Sequence, residues 1–199
     1  GNIRLTSGGN TLVVSGAANR LGGTGSLANL IFGYDHSTPA NFAGAIVSQA
    51  QGGTVSVRVN NDTTGTVTIH RGLTVNVNGA INSPLGTGVV TILGGTLNTD
   101  NTSAAQFGNT DFRLYGGSTF LLDNSAVAVA NSDRRLQTGT AITLNSSTLR
   151  LLGDGGAAVI SSQTMGALGY AGGSTVSVET DGTTAWRVTT LTVDTLNRI

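Results

Sequence analysis

Hydrophobic and polar residues alternate with a period of two in short runs along most of the chain. Val55, Val57 and Val59 enclose Ser56 and Arg58, and Leu73, Val75 and Val77 enclose Thr74 and Asn76. The same alternation recurs at Phe112/Leu114, Ile142/Leu144, Leu149/Leu151, Val176/Val178 and Leu191/Val193. A two-residue period places every second side chain on one face of a strand, and Val, Ile and Leu suit a pleated, half-buried surface. Gly-Gly, Asn-Gly, Asp-Gly and Asn-Ser steps between the runs supply turns. No window of a dozen residues keeps an apolar face at helical spacing without a Gly or β-branched interruption. The pattern predicts an all-β chain.

The strands recur as a cassette: an alternating strand, a two-residue break of Gly or Ser, then Thr or Ser opening a second strand. Examples are Val90-Thr91-Ile92-Leu93-Gly94-Gly95-Thr96-Leu97, then Phe112 to Phe120 around Gly116-Gly117, and Ile142 to Leu149 around Ser146-Ser147. Breaks at positions 8, 52, 94, 116, 146 and 172 give intervals of 44, 42, 22, 30 and 26. The long intervals are about twice the short ones, which sets a unit of roughly 20–30 residues, the size of a solenoid repeat. A helix-free unit of this size closes best as one coil of a right-handed parallel β-helix. The whole of residues 1–199 then reads as a single domain of roughly seven to nine coils, a rod of roughly 35–45 Å. An antiparallel β-sandwich is the alternative that the same alternation permits. Strand pattern continues to the last residues, so a piece of a longer chain is expected. Residues 21–51 depart from the cassette and read as an atypical coil or inserted loop.

Three stretches carry a family resemblance. Asn131-Ser132-Asp133-Arg134-Arg135-Leu136-Gln137-Thr138-Gly139-Thr140 followed by Ala141-Ile142-Thr143-Leu144-Asn145-Ser146-Ser147-Thr148-Leu149-Arg150-Leu151 is the fullest, with Ser146-Ser147 where Gly-Gly is usual. Leu85-Gly86-Thr87-Gly88 ahead of Val89 to Leu97 is the second, and Met165-Gly166-Ala167-Leu168 followed by Ser174 to Val178 the third. They resemble the autotransporter-associated β-strand repeat of large bacterial surface proteins. The resemblance covers about residues 80–199 and implies a β-helical passenger segment, exported and held at the bacterial cell surface or released outside the cell. It brings no shared catalytic residues.

Composition narrows the function classes. The formal net charge is zero, only 10% of residues are charged, and all ten cations are Arg. A chain so weakly charged lacks the basic footprint of a nucleic-acid binder or of a polybasic membrane sticker. No apolar run approaches the length that spans a bilayer. The absence of Cys excludes disulfides and thiolate metal sites. The two histidines, His36 and His70, are isolated in sequence, and no Gly-x-Ser-x-Gly elbow accompanies Ser37 or Ser48, so neither a triad nor a transition-metal site is expected. Asp62, Asp100, Asp123, Asp154 and Asp181 each follow a cassette by a few residues. Stacked acids of this kind can ligate calcium, but Asx turn-capping is the favoured reading. Asp35, Asp62 and Asp100 are the acids that a lyase or hydrolase would draw on. Thr-x-Thr steps at 66/68, 138/140 and 190/192 are too scattered for an ice-binding face.

The segment 21–51 holds Phe32, Tyr34 and Phe42 in a chain with nine aromatics, together with Asp35 and His36. Phe32, Tyr34, Asp35, His36 and Phe42 are therefore the candidate ligand-binding residues, with a surface glycan as the candidate partner. The competing reading packs these aromatics back on the rod. The favoured function is a non-catalytic structural or adhesive stalk or fibre that uses no cofactor or metal. Its partners would be neighbouring coils of the same or an identical chain. A carbohydrate-active β-helix or a glycan-binding module is the alternative.

Overall fold

A computed structural model describes residues 1–7, 9–16, 21, 26–33, 52–79, 82–99, 105–125, 135–153, 161–181 and 188–199. Its elements are fifteen β-strands. Eight lie in one sheet: β1 (Asn2–Leu5), β3 (Asn29–Phe32), β5 (Val67–His70), β7 (Val90–Leu93), β9 (Asp111–Tyr115), β11 (Ala141–Asn145), β13 (Ser161–Ala171) and β15 (Thr189–Arg198). Seven lie in the other: β2 (Thr11–Val14), β4 (Thr54–Val57), β6 (Thr74–Val77), β8 (Thr96–Thr99), β10 (Thr119–Asp123), β12 (Thr148–Gly153) and β14 (Thr175–Thr180). Each sheet is stacked strictly in chain order, and every strand pairing is parallel. This is the right-handed parallel β-helix, and it excludes the antiparallel sandwich. Seven two-stranded coils plus β15 span about 35 Å at the usual interstrand spacing.

Register turns the sequence alternation into columns. In the larger sheet Leu30, Val67, Val90, Phe112, Ile142 and Leu168 are successive partners, all buried. In the smaller sheet Val55, Val75, Leu97, Phe120 and Leu149 form the facing column, each with no exposure. A single coil is too thin to bury its own inward set; stacking like on like produces one continuous core. Part of that core is aromatic. Phe112 and Phe120 stack at 4.8 Å, and Phe107 meets them edge-on at 5.4 and 5.5 Å, geometries that ring quadrupoles favour.

The tight corner joining the two strands of a coil explains the cassette. Thr11, Thr54, Thr74, Thr96, Thr119, Thr148 and Thr175 are register partners, so a threonine opens all seven strands of the smaller sheet. From Thr54 onward each of these donates its N–H to a corner carbonyl of the coil before, as in Thr96 to Leu73 at 2.9 Å and Thr148 to Ser118 at 2.9 Å. The threonine column thus marks where the chain re-enters the sheet. Gly94 turns at φ 75°, and Ser146 holds the matching corner at φ 50°, a left-handed conformation that a side chain adopts only at a cost.

One expectation needs correction. The interval from 8 to 52 is one coil, not two: Thr11 pairs directly with Thr54, and the added length lies between β3 and β4. The interval from 52 to 94 does hold two coils. Its hidden corner is Arg71-Gly72-Leu73, which turns at Gly72 with φ 77° but lacks the Gly or Ser doublet. Within residues 21–51, β3 is a regular rung of the larger sheet, and residues 22–25 and 34–51 lie outside the described residues.

The broad connections on the other side of the rod are closely packed. A Cβ on Gly88 would lie 1.9 Å from the Gly65 carbonyl of the coil before, so backbone rests on backbone there. Further along, Arg135 is buried at 1% exposure. Its guanidinium donates to Asn124 Oδ1 at 2.6 Å, to the Asp123 carbonyl at 2.7 Å and to the Ala105 carbonyl at 3.3 Å. Gln163 Oε1 accepts from the backbone N–H groups of Arg135 and Leu136, each at 3.2 Å. Arg135 thereby ties together three successive coils, and hydrogen bonding of its polar atoms offsets the desolvation of a buried cation.

Candidate functional site

Phe32 is a core residue. It sits in β3 between Leu5 and Ile69 with no exposure, so it offers no ring to a ligand, and this part of the expected site is corrected. An inward register position decides its fate regardless of the unusual sequence around it. Tyr34, Asp35, His36 and Phe42 lie outside the described residues. Gly33, the last described residue before them, lies beside His70, and Gly52, the first described after them, accepts the N–H of Gly9 at its carbonyl.

The turn acids divide in the same way. Asp123 closes an Asx turn, accepting from the Ser125 N–H at 2.9 Å and the Ser125 hydroxyl at 2.7 Å. Its carboxylate caps the chain as the turn reading expects. Asp100 and Asp154 lie outside the described residues, as does Asp35. No group of three or more His, Asp or Glu side chains converges among the described residues, and no helix among them is long and apolar enough to cross a membrane.

Two surfaces stand out. The first is the last coil. Val176 and Val178 continue inward columns of the smaller sheet but are each 42% exposed, and Leu196, next after Leu168 in the larger sheet, is 64% exposed. Among the described residues β15 covers β13, and no strand follows β14 in the smaller sheet. Inward-facing apolar side chains are therefore left uncovered together with a free strand edge.

The second surface lies in mid-rod on the outer face of the larger sheet. His70, Leu93, Tyr115 and Asn145 are successive register partners at the corner side. Thr68, Thr91, Arg113 and Thr143 form the neighbouring outward column. Leu93 is 39% exposed; apart from Val13 and Leu27 in the first coils, it is the one exposed large hydrophobic ahead of Tyr170 among the described residues. Arg71 lies against the next corner, its Cβ and Nε 3.4 and 3.5 Å from where a Gly94 Cβ would stand. Arg113 pairs with Asp111 at 2.7 Å. That hydrogen-bonded carboxylate is the main reason the Arg113 guanidinium is held above its ordinary pKa. Sequence reading singled out His70 but missed the surface around it. Its members on successive coils are more than twenty residues apart, and the corner at Arg71 that aligns them has no doublet.

Electrostatics elsewhere on the described surface is sparse. Arg150 and Glu179 on adjacent coils pair at 2.5 Å. The hydrogen bond from Arg150, with a second from the Ser177 hydroxyl, holds the Glu179 carboxyl below its ordinary range. Comparison with protein-family models, with curated proteins and with solved structures finds no match to this chain.

Proposed function

We propose that the chain is a non-catalytic structural segment, one length of a β-helical stalk or fibre that stacks on further coils of the same or an identical chain. The observation that carries this reading is the inward column that ends uncovered at Val176 and Val178. Coils with a neighbour on both sides, from Val55 and Val57 to Leu149 and Leu151, bury the same positions, so the surface that would complete the last coil is another coil of the same kind. Near-neutral charge and an outward face of Thr, Ser and Asn suit a spacer. Resemblance to the autotransporter-associated repeat supports an exported segment at the bacterial surface or outside the cell, with no cofactor.

Electron microscopy of the purified chain over a concentration range tests end stacking. Rods that lengthen with concentration are expected, and Val176→Asp with Val178→Asp should return them to single-rod length. Particles of constant length at high concentration would contradict assembly from identical copies.

A further inference from the structure

The geometry points to a second property, independent of the stalk reading: the mid-rod face around Leu93 is a binding surface for an acidic polysaccharide. Leu93 stands outward on this face at 39% exposure. Here it is framed by groups that complement a sugar acid. Leu93 and Tyr115 are adjacent in one column and form an apolar platform for the carbon face of a sugar ring. Arg71 approaches from the corner of the preceding coil and Arg113 from the following coil, one on each side of the leucine. Asp111 adds an acceptor that holds Arg113 in place through contacts at 2.7 and 3.1 Å. Thr91 and Thr143 flank Arg113 with hydroxyls.

Two arginines against one aspartate leave the patch cationic on a molecule of zero net charge, so carboxylates are attracted to this place and not to the rod as a whole. Guanidinium forks match carboxylate geometry. Rungs repeat about every 4.8 Å along the axis, so an extended chain crossing three rungs obliquely meets Arg71, Leu93 and Arg113 in turn. An acidic polypeptide supplies the same charge without the ring faces, and a neutral glycan supplies the ring faces without the charge. The patch combines both recognition elements.

The test uses the purified 199-residue chain with three probes: polygalacturonate, dextran and poly-L-glutamate, titrated at low and moderate salt. Polygalacturonate should bind saturably, and the other two at least tenfold more weakly. Tyr115→Ala and Arg71→Ala should each weaken polygalacturonate binding about tenfold, the scale of one lost charge-assisted contact or packed ring. Arg71→Ala should also flatten the salt dependence, whereas Val13→Ala on the opposite sheet should change nothing. All three positions face outward, and unchanged circular dichroism and melting would show that the variants are folded. Absence of polygalacturonate binding, equal binding of poly-L-glutamate or dextran, or indifference to both face substitutions would each overturn the assignment.

Discussion

Leu97 and Val176 occupy the same inward column of the smaller sheet, yet Leu97 is fully buried and Val176 is 42% exposed. Their strands have the same pattern, a threonine followed by an aliphatic residue, and follow equivalent corners. What differs is the neighbour. β8 lies between β6 and β10, whereas β14 has β12 on one side alone. Burial in a solenoid is thus a property of the stack and not of the coil. One sequence motif yields a closed core in the middle of the rod and an uncovered apolar surface at its end.

Substitutions should separate the two regions by size of effect. Phe112→Ala removes a ring from the aromatic centre of the stack and should cost about 3–5 kcal/mol in denaturant unfolding. A loss under about 1 kcal/mol would mean that the rod collapses into the void and that its middle is less tightly packed than the contacts imply. Arg135→Leu leaves Asn124 Oδ1 and two carbonyls without their donor and should cost about 1–3 kcal/mol. Because Arg135 links three coils, this change should also broaden the transition.

The sharpest form of the comparison is Val75→Ala against Val176→Ala, one column and one chemistry. The buried member should lose about 2 kcal/mol and the exposed one less than about half of that. Equal losses would break the distinction between middle and end. Ser146→Gly should stabilise by about 0.5–1 kcal/mol, because glycine relieves the left-handed conformation, although the hydroxyl contact to the Gly172 carbonyl at 3.0 Å is lost.

The smallest effect belongs to pH. Glu179 has a lowered pKa in the folded chain, so its contribution is present above the ordinary carboxyl value of 4.5 and is lost as pH falls through the lowered one. The pair with Arg150 is solvent-exposed and screened, so Glu179→Gln should shift acid unfolding only slightly in a salt-free buffer and not at all in high salt.

Fold class was legible because alternation and corner doublets are local. Val75 and Val77, or Phe112 and Leu114, announce their face within three residues. Coil boundaries were less legible. Arg71-Gly72-Leu73 turns the chain with a single glycine, and the long connection after β3 mimics a missing coil when intervals are counted. Phe32 shows the reverse limit: an aromatic in an unusual segment invites a functional reading, but its register with Ile69 makes it core. The Leu93 surface could not be read at all without register, since Arg71, Leu93 and Arg113 meet only when three coils are stacked.

Residue-resolved hydrogen exchange on the purified chain tests the central claim, that coverage by the next coil and not local sequence sets burial. Amides of β8 and β10 should exchange only with global opening, while those of β14 that face away from β12 should exchange orders of magnitude faster. Conditions that lengthen the rods should slow β14 and leave β8 unchanged. Protection as strong in β14 as in β8 under dilute conditions would contradict the account.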